Sequence, residues 1–251
     1  MKIVVIGGSG LIGSKVVSKL KKLGYGVFAA SPDTGVNTIT GEGLSEALKG
    51  ADKVVDVANS PSFADDDVME FFKTSGQHLL AAEKEAGVKH HIALSIVGDD
   101  RLPDSGYMRA KVEQERLIRE SGIPYTILHS TQFFEFAGSL VKGATVGDTI
   151  HLPSALFQPI ASDDVVDAMV DLTLKDPVNG IVEIGGPEKI GMDKFAKIYL
   201  DMKQDKRKVI GDPTALYFGT VINDQSLVPA DDARKGTIRY EDWISIPGNL
   251  R

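Results

Sequence analysis

The chain of 251 residues has an ordinary composition, with 42% hydrophobic and 25% charged residues, which excludes disordered and fibrous proteins. Its formal charge of −7 and the even spread of its 28 Lys and Arg residues argue against a nucleic-acid partner. It has no cysteine, which excludes disulfides and thiolate metal sites.

Short apolar runs alternate along the chain with segments of helical period, a pattern typical of βαβ units around a parallel sheet. Strands are predicted near Ile3 to Ile6, Val27 to Ala30, Val36 to Ile39, Val54 to Val57, His91 to Ser95, Tyr125 to Leu128 and Ile181 to Ile184. Helices are predicted near Leu11 to Leu23, Leu44 to Leu48, Val68 to Ala86, Tyr107 to Glu120 and Asp163 to Leu174. The sequence therefore predicts an α/β protein with a doubly wound parallel sheet of the Rossmann type.

After about Phe133 the pattern loosens, because glycine and proline break it into short pieces. We expect one α/β domain over residues 1–251, with a core of about 1–186. A small C-terminal substrate lobe is expected from about 133–160 and 186–251. Asp65, Asp66 and Asp67, before the third predicted helix, are interpreted as a cap and as charges that complement the helix dipole. A metal site is the alternative for these three residues.

The apolar run at the start of the chain is short, because Gly7 and Gly8 follow Ile6 directly. A signal peptide needs a longer apolar region, and no run approaches the roughly 20 residues that span a bilayer. We therefore expect a cytoplasmic protein without a membrane partner. The sequence leaves monomer and homo-oligomer open.

A glycine turn follows the first predicted strand and opens the first predicted helix, which is the context of a dinucleotide-binding fingerprint. Gly7 permits a tight turn, Gly10 lets a pyrophosphate approach the backbone, and Gly13 lets the helix pack closely on the strand. The unpaired amides at the helix start would bind phosphate. The candidate cofactor contacts are Gly7, Ser9, Gly10, Leu11, Ile12 and Gly13. The alternatives are a turn without a ligand and a P-loop, and the missing Gly-Lys-Ser/Thr excludes the latter.

A tyrosine and a lysine lie four residues apart at the start of a predicted helix, so Tyr107 and Lys111 project from one face. Ser95 ends the preceding strand at the sheet edge where open α/β proteins bind ligands. An ammonium near the phenol would lower the pKa of Tyr107 towards the range useful for acid catalysis. The alternative for such a Tyr and Lys pair is a solvated helix face.

The glycine turn, Ser95 and the Tyr107-x-x-x-Lys111 pattern together resemble the short-chain dehydrogenase/reductase superfamily. The glycine spacing, the stretch from Gly122 to Leu128 and the stretch from Pro159 to Val165 resemble its atypical NmrA-like, NAD(P)H-binding branch. The resemblance runs from Met1 to about Gly186 and is weaker beyond.

This resemblance implies a catalytic set in which Tyr107 protonates a carbonyl oxygen and Ser95 orients it. Lys111 would hold the nicotinamide ribose and tune Tyr107. It also implies cofactor contacts at the ends of two strands, namely Ala58, Asn59, Ser60 and, in the loop from Ser130 to Phe133 that would face the nicotinamide, Thr131. The helix asparagine that many superfamily members use in a proton relay has no assigned counterpart here.

The end of the second predicted strand sets the choice of cofactor. An acidic residue there favours NAD, but this chain has Ser31, and Ser31 and Ser9 can both donate to a phosphate. We therefore expect NADP (NADPH), with NAD as the alternative because Asp33 lies nearby. The resemblance suggests Asn37, at the end of the short third predicted strand, as an adenine contact.

A small-molecule carbonyl compound is the expected substrate, and ketone, aldehyde and quinone all stay open. The candidate substrate contacts are Ile96, Phe133 and Phe134, with Tyr217, Phe218 and Trp243 as further pocket residues. Core packing is the alternative for the aromatic residues.

None of the five histidines has the helical spacing of a metal site, and none is proposed as a ligand: His78, His90, His91, His129 and His151. A hydrolase is excluded because Ser9 is not in a Gly-x-Ser-x-Gly elbow. Two other functions are compatible with the same resemblance. A sugar-nucleotide epimerase usually has a longer chain, and a non-catalytic NADP(H) redox sensor would need the glycine turn but not Tyr107.

Overall fold

The computed structural model describes residues 1–250. Its strands are β1 Lys2–Ile6, β2 Gly26–Ala30, β3 Lys53–Asp56, β4 His90–Ile96, β5 Tyr125–Ser130, β6 Thr145–Val146, β7 Thr149–Leu152, β8 Leu156–Phe157, β9 Gly180–Gly185, β10 Ile190–Gly191, β11 Lys208–Gly211 and β12 Arg234–Lys235. Its helices are α1 Leu11–Lys22, α2 Leu44–Leu48, α3 Asp65–Ala86, α4 Gly106–Glu120, α5 Ala137–Gly143, α6 Ser162–Leu174, α7 Met192–Met202 and α8 Tyr240–Ile244. Within residues 1–250, no helix has both the length and the apolar character to cross a membrane.

The central sheet has seven strands in the order β12-β9-β5-β4-β3-β1-β2. Strand β1 pairs in parallel with β2 on one side and with β3 on the other. The chain thus moves from β1 outward to β2 and then returns to β3, and open α/β sheets bind ligands at the carboxyl ends of the strands beside such a reversal. The predicted Rossmann-type sheet is confirmed.

The described chain divides into two compact units. The first comprises Met1–Ser95, Gly106–His129 and Val165–Val182, and the second comprises residues 96–105, 130–164 and 183–250. In the first unit, Val4, Ile6, Leu48 and Leu79 belong to one buried apolar cluster. The single-domain boundaries expected from the sequence stay a prediction.

The second unit has its own aromatic core. The ring of Tyr240 lies 4.1 Å from that of Phe195 and 5.0 Å from that of Phe134, measured between ring centres. Phe195 also contacts Phe157 edge to face at 5.1 Å. Strands β6, β7 and β11 form a separate sheet in this unit.

The strand predicted from Val36 to Ile39 is absent from the structure, and this prediction was wrong. The amide of Val36 donates to the carbonyl oxygen of Ser31, and the amide of Asn37 donates to the carbonyl oxygen of Glu42. The side chain of Asn37 accepts from the amide of Ile39 at 2.9 Å. These bonds make a local turn, so the segment has no strand partner.

The acidic start of α3 also differs in part from the expectation. The N-cap residue is Ala64, which offers no side-chain cap, and Asp65, Asp66 and Asp67 form the first turn of the helix itself. Their charges complement the positive end of the helix dipole as expected, but none of them is the N-cap. At its other end α3 terminates at Gly87, whose φ of 71° lies in the left-handed region that glycine tolerates.

A fully buried acid–base pair joins α3 to β4. Both carboxylate oxygens of Glu83 lie 2.9 and 3.0 Å from Nδ1 of His91. Burial raises the pKa of Glu83, and although burial opposes charge on His91, the neighbouring carboxylate outweighs it and raises the pKa of the imidazole. The two groups therefore depend on each other, because either one alone would be buried without compensation.

We expect Glu83→Ala to destabilise the protein by about 3 kcal/mol, because it leaves the His91 ring buried without its partner. Urea unfolding followed by circular dichroism measures the change. Glu85→Ala, at an exposed position of the same helix, is the control and should change stability by less than about 0.5 kcal/mol. Equal effects of the two substitutions would contradict this account of the pair.

Candidate functional site

The glycine turn between β1 and α1 is held by close approaches of the backbone, two of them at Gly7 and Gly13. Gly7 has a φ of +75°, and a Cβ atom there would lie 2.9 Å from backbone atoms of Ala58. A Cβ atom at Gly13 would lie 2.1 Å from the carbonyl oxygen of Gly7. Both positions therefore require glycine for the fold itself, as the sequence predicts for the turn and for the packing of helix on strand.

Gly10 differs from its neighbours because a Cβ atom there would require only a small shift of the backbone. Its φ of −74° and ψ of −179° are open to any residue, and a Cβ atom would meet only the Gly7 carbonyl oxygen, at 3.3 Å. Helix α1 begins after Gly10 without a side-chain cap. The amides of its first turn are thus left to a ligand or water, and amides so placed are the groups that bind phosphate in a dinucleotide-binding turn. Ser9 and Leu11 are exposed beside this space, and Ile12 is buried.

A buried hydroxyl without a partner lies at the end of β2. Ser31 is 4% exposed, and its Oγ has no hydrogen-bond partner among residues 1–250. Buried polar atoms are nearly always bonded, so such an atom fits a ligand oxygen. Asn37, the expected adenine contact, uses its side-chain oxygen in the local turn described above.

The loop after β3 contains the three expected cofactor contacts Ala58, Asn59 and Ser60. The amide of Ala58 donates to the Asp56 carboxylate at 3.1 Å, and Ser60 is buried. The hydroxyl of Tyr107 donates to the side-chain oxygen of Asn59 at 3.1 Å. The structure therefore brings Tyr107 beside one of the expected cofactor contacts.

The environment of Tyr107 is apolar. Its ring centre lies 5.7 Å from that of Phe63 and 6.0 Å from that of Phe72. Burial raises the pKa of Tyr107 to about 12. The expectation that Lys111 lowers the pKa of this phenol is therefore wrong for the structure, because loss of solvent dominates.

Lys111 lies one helical turn further along α4 and is 3% exposed. Its ammonium donates to the carbonyl oxygen of Leu94 at 2.9 Å and to the side-chain oxygen of Gln114. It also lies 4.5 Å from the centre of the Phe72 ring. Gln114 donates in turn to the carboxylate of Asp56 at 3.0 Å, so an acidic group is linked to the buried cation through one amide.

Ser95, which is expected to orient a carbonyl oxygen, is hydrogen-bonded within the protein. Its hydroxyl donates to Oε1 of Glu115 at 2.6 Å, and Nε2 of His129 lies 2.6 Å from the same oxygen. Sequence reasoning missed Glu115 and discarded His129. The signal was present, because Glu115 lies four residues after Lys111 and eight after Tyr107, on the same helical face.

The remaining expected site residues lie in the second unit. Thr131 is buried, and its Oγ1 has no partner among the described residues. Ile96 and Phe133 are half-buried, whereas Phe134 is 1% exposed and packs on Tyr240 and Trp243. Tyr217 is buried and Phe218 is half exposed. Packing thus accounts for Phe134 and Trp243, and substrate contact by this group stays a prediction.

The chain is similar to one protein family and to several known reductases. A model of the NmrA-like family matches residues 1–143. A (4-alkanoyl-5-oxo-2,5-dihydrofuran-3-yl)methyl phosphate reductase of Streptomyces griseus subsp. griseus is 28% identical over 75% of this chain and 69% of that protein. The chloroplastic divinyl chlorophyllide a 8-vinyl-reductase of Arabidopsis thaliana is 25% identical over 75% of this chain, which spans 54% of that protein.

A solved structure shares the fold over nearly the whole chain. It is the UDP-glucuronic acid 4-epimerase from Bacillus cereus in complex with UDP-glucuronic acid and NAD, with a TM-score of 0.74 and 18% identity. The match covers 97% of this chain and 96% of the epimerase. At this identity the likeness concerns the fold alone.

We expect Gly10→Val to abolish dinucleotide binding and to leave the protein folded, because the side chain enters pyrophosphate space and meets little of the protein. Calorimetric titration with NADPH and NADH measures binding, and circular dichroism checks the fold. Gly26→Val, in the first position of β2, is a control that should bind as the wild type does. Unchanged affinity of Gly10→Val would mean that the turn does not hold a dinucleotide.

Proposed function

The chain belongs to the NmrA-like family, and on this premise we propose that it is an NADPH-dependent reductase that acts on a small ketone, aldehyde or quinone. Both relatives described above are named as reductases, which supports a nicotinamide-dependent oxidoreductase. The observation that carries the proposal is the space before the first turn of α1, which the fold leaves open at Gly10. When bound there, a reduced nicotinamide dinucleotide supplies a hydride.

The unpartnered hydroxyl of Ser31 supports the choice of NADPH. It lies at the end of β2, where an acidic residue would bind ribose hydroxyls and repel a 2′-phosphate. A serine there can donate to the phosphate, and burial without another partner makes such a bond favourable. NAD is the alternative cofactor.

Tyr107 is the proposed proton donor. Because its pKa is about 12, the phenol keeps its proton at neutral pH. Its hydroxyl donates to the side-chain oxygen of Asn59, and a substrate oxygen would take the place of that acceptor. The proton would pass from Oη of Tyr107 to the carbonyl oxygen as the adjacent carbon accepts the hydride. Lys111 would change partners from the Leu94 carbonyl to hold the ribose hydroxyls.

Reduction of a carbon–carbon double bond is a second candidate reaction. One relative is named as a vinyl-reductase, and the proton of Ser95 is already donated to Glu115. A vinyl group has no oxygen for Ser95 to orient, so this arrangement is compatible with it. Loss of NADPH absorbance with unsaturated compounds, but not with the matching saturated carbonyl compounds, would favour this reaction.

Cofactor preference gives one test of the proposal. We expect NADPH to bind more tightly than NADH, and Ser31→Asp to weaken NADPH binding about tenfold or more, because a carboxylate would face the 2′-phosphate. Titrations of both cofactors with both proteins measure the effect. Ser18→Asp adds the same charge at an exposed position of α1 and should leave the preference unchanged. A wild type that prefers NADH would contradict the role of Ser31.

The proton donor gives the second test. Tyr107→Phe should slow carbonyl reduction by about 10²- to 10⁴-fold, while NADPH affinity changes little, because only one oxygen is lost. The measurement is the loss of NADPH absorbance with a panel of ketones, aldehydes and quinones. Tyr125→Phe, on β5, is the matched control and should turn over as the wild type does.

Two outcomes would contradict this reading. If Tyr107→Phe turns over as fast as the wild type, Tyr107 is not the proton donor. If the wild-type protein binds NADPH and reduces neither carbonyl nor unsaturated compounds, a non-catalytic NADP(H) sensor replaces the reductase.

A further inference from the structure

A buried carboxylate controls the hydrogen bonding of Ser95. Glu115 is 2% exposed, and its Oε1 accepts from the hydroxyl of Ser95 at 2.6 Å. Nε2 of His129 lies 2.6 Å from the same oxygen, and Nη2 of Arg119 donates to Oε2 at 2.6 Å. Ser95, Glu115 and His129 all belong to the first unit and are all buried.

The direction of the bond from Ser95 has a chemical consequence. A serine hydroxyl has one proton and two lone pairs, and a carboxylate can only accept. Hydrogen bonds from a hydroxyl to a carboxylate are short and strong, and the distance here lies in that range. While Glu115 holds this proton, Ser95 can offer only lone pairs to another group.

Burial of the Glu115 carboxylate is unfavourable unless nearby donors stabilise it. A buried carboxylate loses its hydration, which close donors must offset. The neighbouring acid on the same helix, Glu113, pairs instead with Arg116 on the exposed side of α4. Ser95 is the penultimate residue of β4, near the carboxyl ends of the strands where such folds bind their ligands, so Glu115 acts on a residue placed to meet a substrate.

We propose that Glu115 is a positioning residue that fixes Ser95 as a hydrogen-bond acceptor, so that the site selects substrates with an O–H or N–H donor beside the carbonyl group. This inference rests on the proposed reductase function and names its substrate class: α-hydroxy or α-amino carbonyl compounds. In the reaction Tyr107 would donate to the carbonyl oxygen, and Ser95 would accept from the neighbouring donor.

Two pairs of probes of equal size test the selection. Hydroxyacetone differs from 2-butanone, and 2-hydroxyacetophenone from propiophenone, only by a hydroxyl in place of a methyl group. We expect the wild type to prefer the hydroxyl member of a pair in kcat/KM by about tenfold, the usual effect of one hydrogen bond that would otherwise be unmade.

Three variants assign the preference to the proposed residues. Ser95→Ala should abolish the preference, and Glu115→Gln should reduce it at least severalfold, because an amide can donate to Ser95 and release its proton. The double variant should show no further change, since residues of one hydrogen-bond network are not additive. Glu113→Gln removes the same charge two residues earlier and should retain the wild-type preference.

A readout without turnover tests the network itself. The ¹⁵N NMR signals of the His129 ring should shift in Glu115→Gln and stay unchanged in Glu113→Gln. An unchanged His129 signal in Glu115→Gln would overturn the inference. Equal reduction of both members of each pair by the wild type would also overturn it, and would leave the proposed reductase intact. Reduction of no carbonyl compound would instead overturn the proposed function and the selection together.

Discussion

The turn between β1 and α1 can be this tight because Gly13 has no side chain. The nearest obstacle to a Cβ atom there is the carbonyl oxygen of Gly7, at 2.1 Å, so any other residue would push the helix away from the strand. This one contact sets the direction of the helix and the place of its first amides. The left-handed backbone at Gly7 and the close approach to Ala58 follow from the same packing. The space before Gly10 exists because these neighbours are held in place.

Helix α4 carries several of the expected site residues of the first unit on one face. Tyr107 reaches Asn59, Lys111 reaches the Leu94 carbonyl, and Glu115 reaches Ser95. Polar side chains on a buried helix face are tolerated only where each finds a partner. The helix thus connects the ends of several strands through side chains, and substitution of Glu115 would leave the buried hydroxyl of Ser95 without its acceptor.

The sequence predicts the regular elements of the first unit well, because apolar periodicity and glycine placement are local signals. The segment from Val36 to Ile39 has the composition of a strand, but the side chain of Asn37 bonds within its own turn, and tertiary pairing cannot be read from composition. The pKa of Tyr107 was predicted in the wrong direction because spacing shows that Lys111 shares its helix face but not where the ammonium donates. Glu115 was not predicted as a site residue, because the pattern of residue types does not show whether an acidic side chain is buried. The short strands of the second unit, such as β6 and β8, are too brief to have a period.

The side-chain bonds of α4 also govern how this region opens. Asp56 on β3, Leu94 on β4 and His129 on β5 are each tied to α4 through Gln114, Lys111 or Glu115. Detachment of the helix would break these bonds together and expose Lys111 and Glu115, which would keep their partners within the helix, Gln114 and Arg119. Local unfolding in proteins proceeds in cooperative units of this kind. We therefore expect helix α4 and the ends of three strands to form one such unit, in which fluctuations that admit solvent to this face occur as a whole rather than residue by residue.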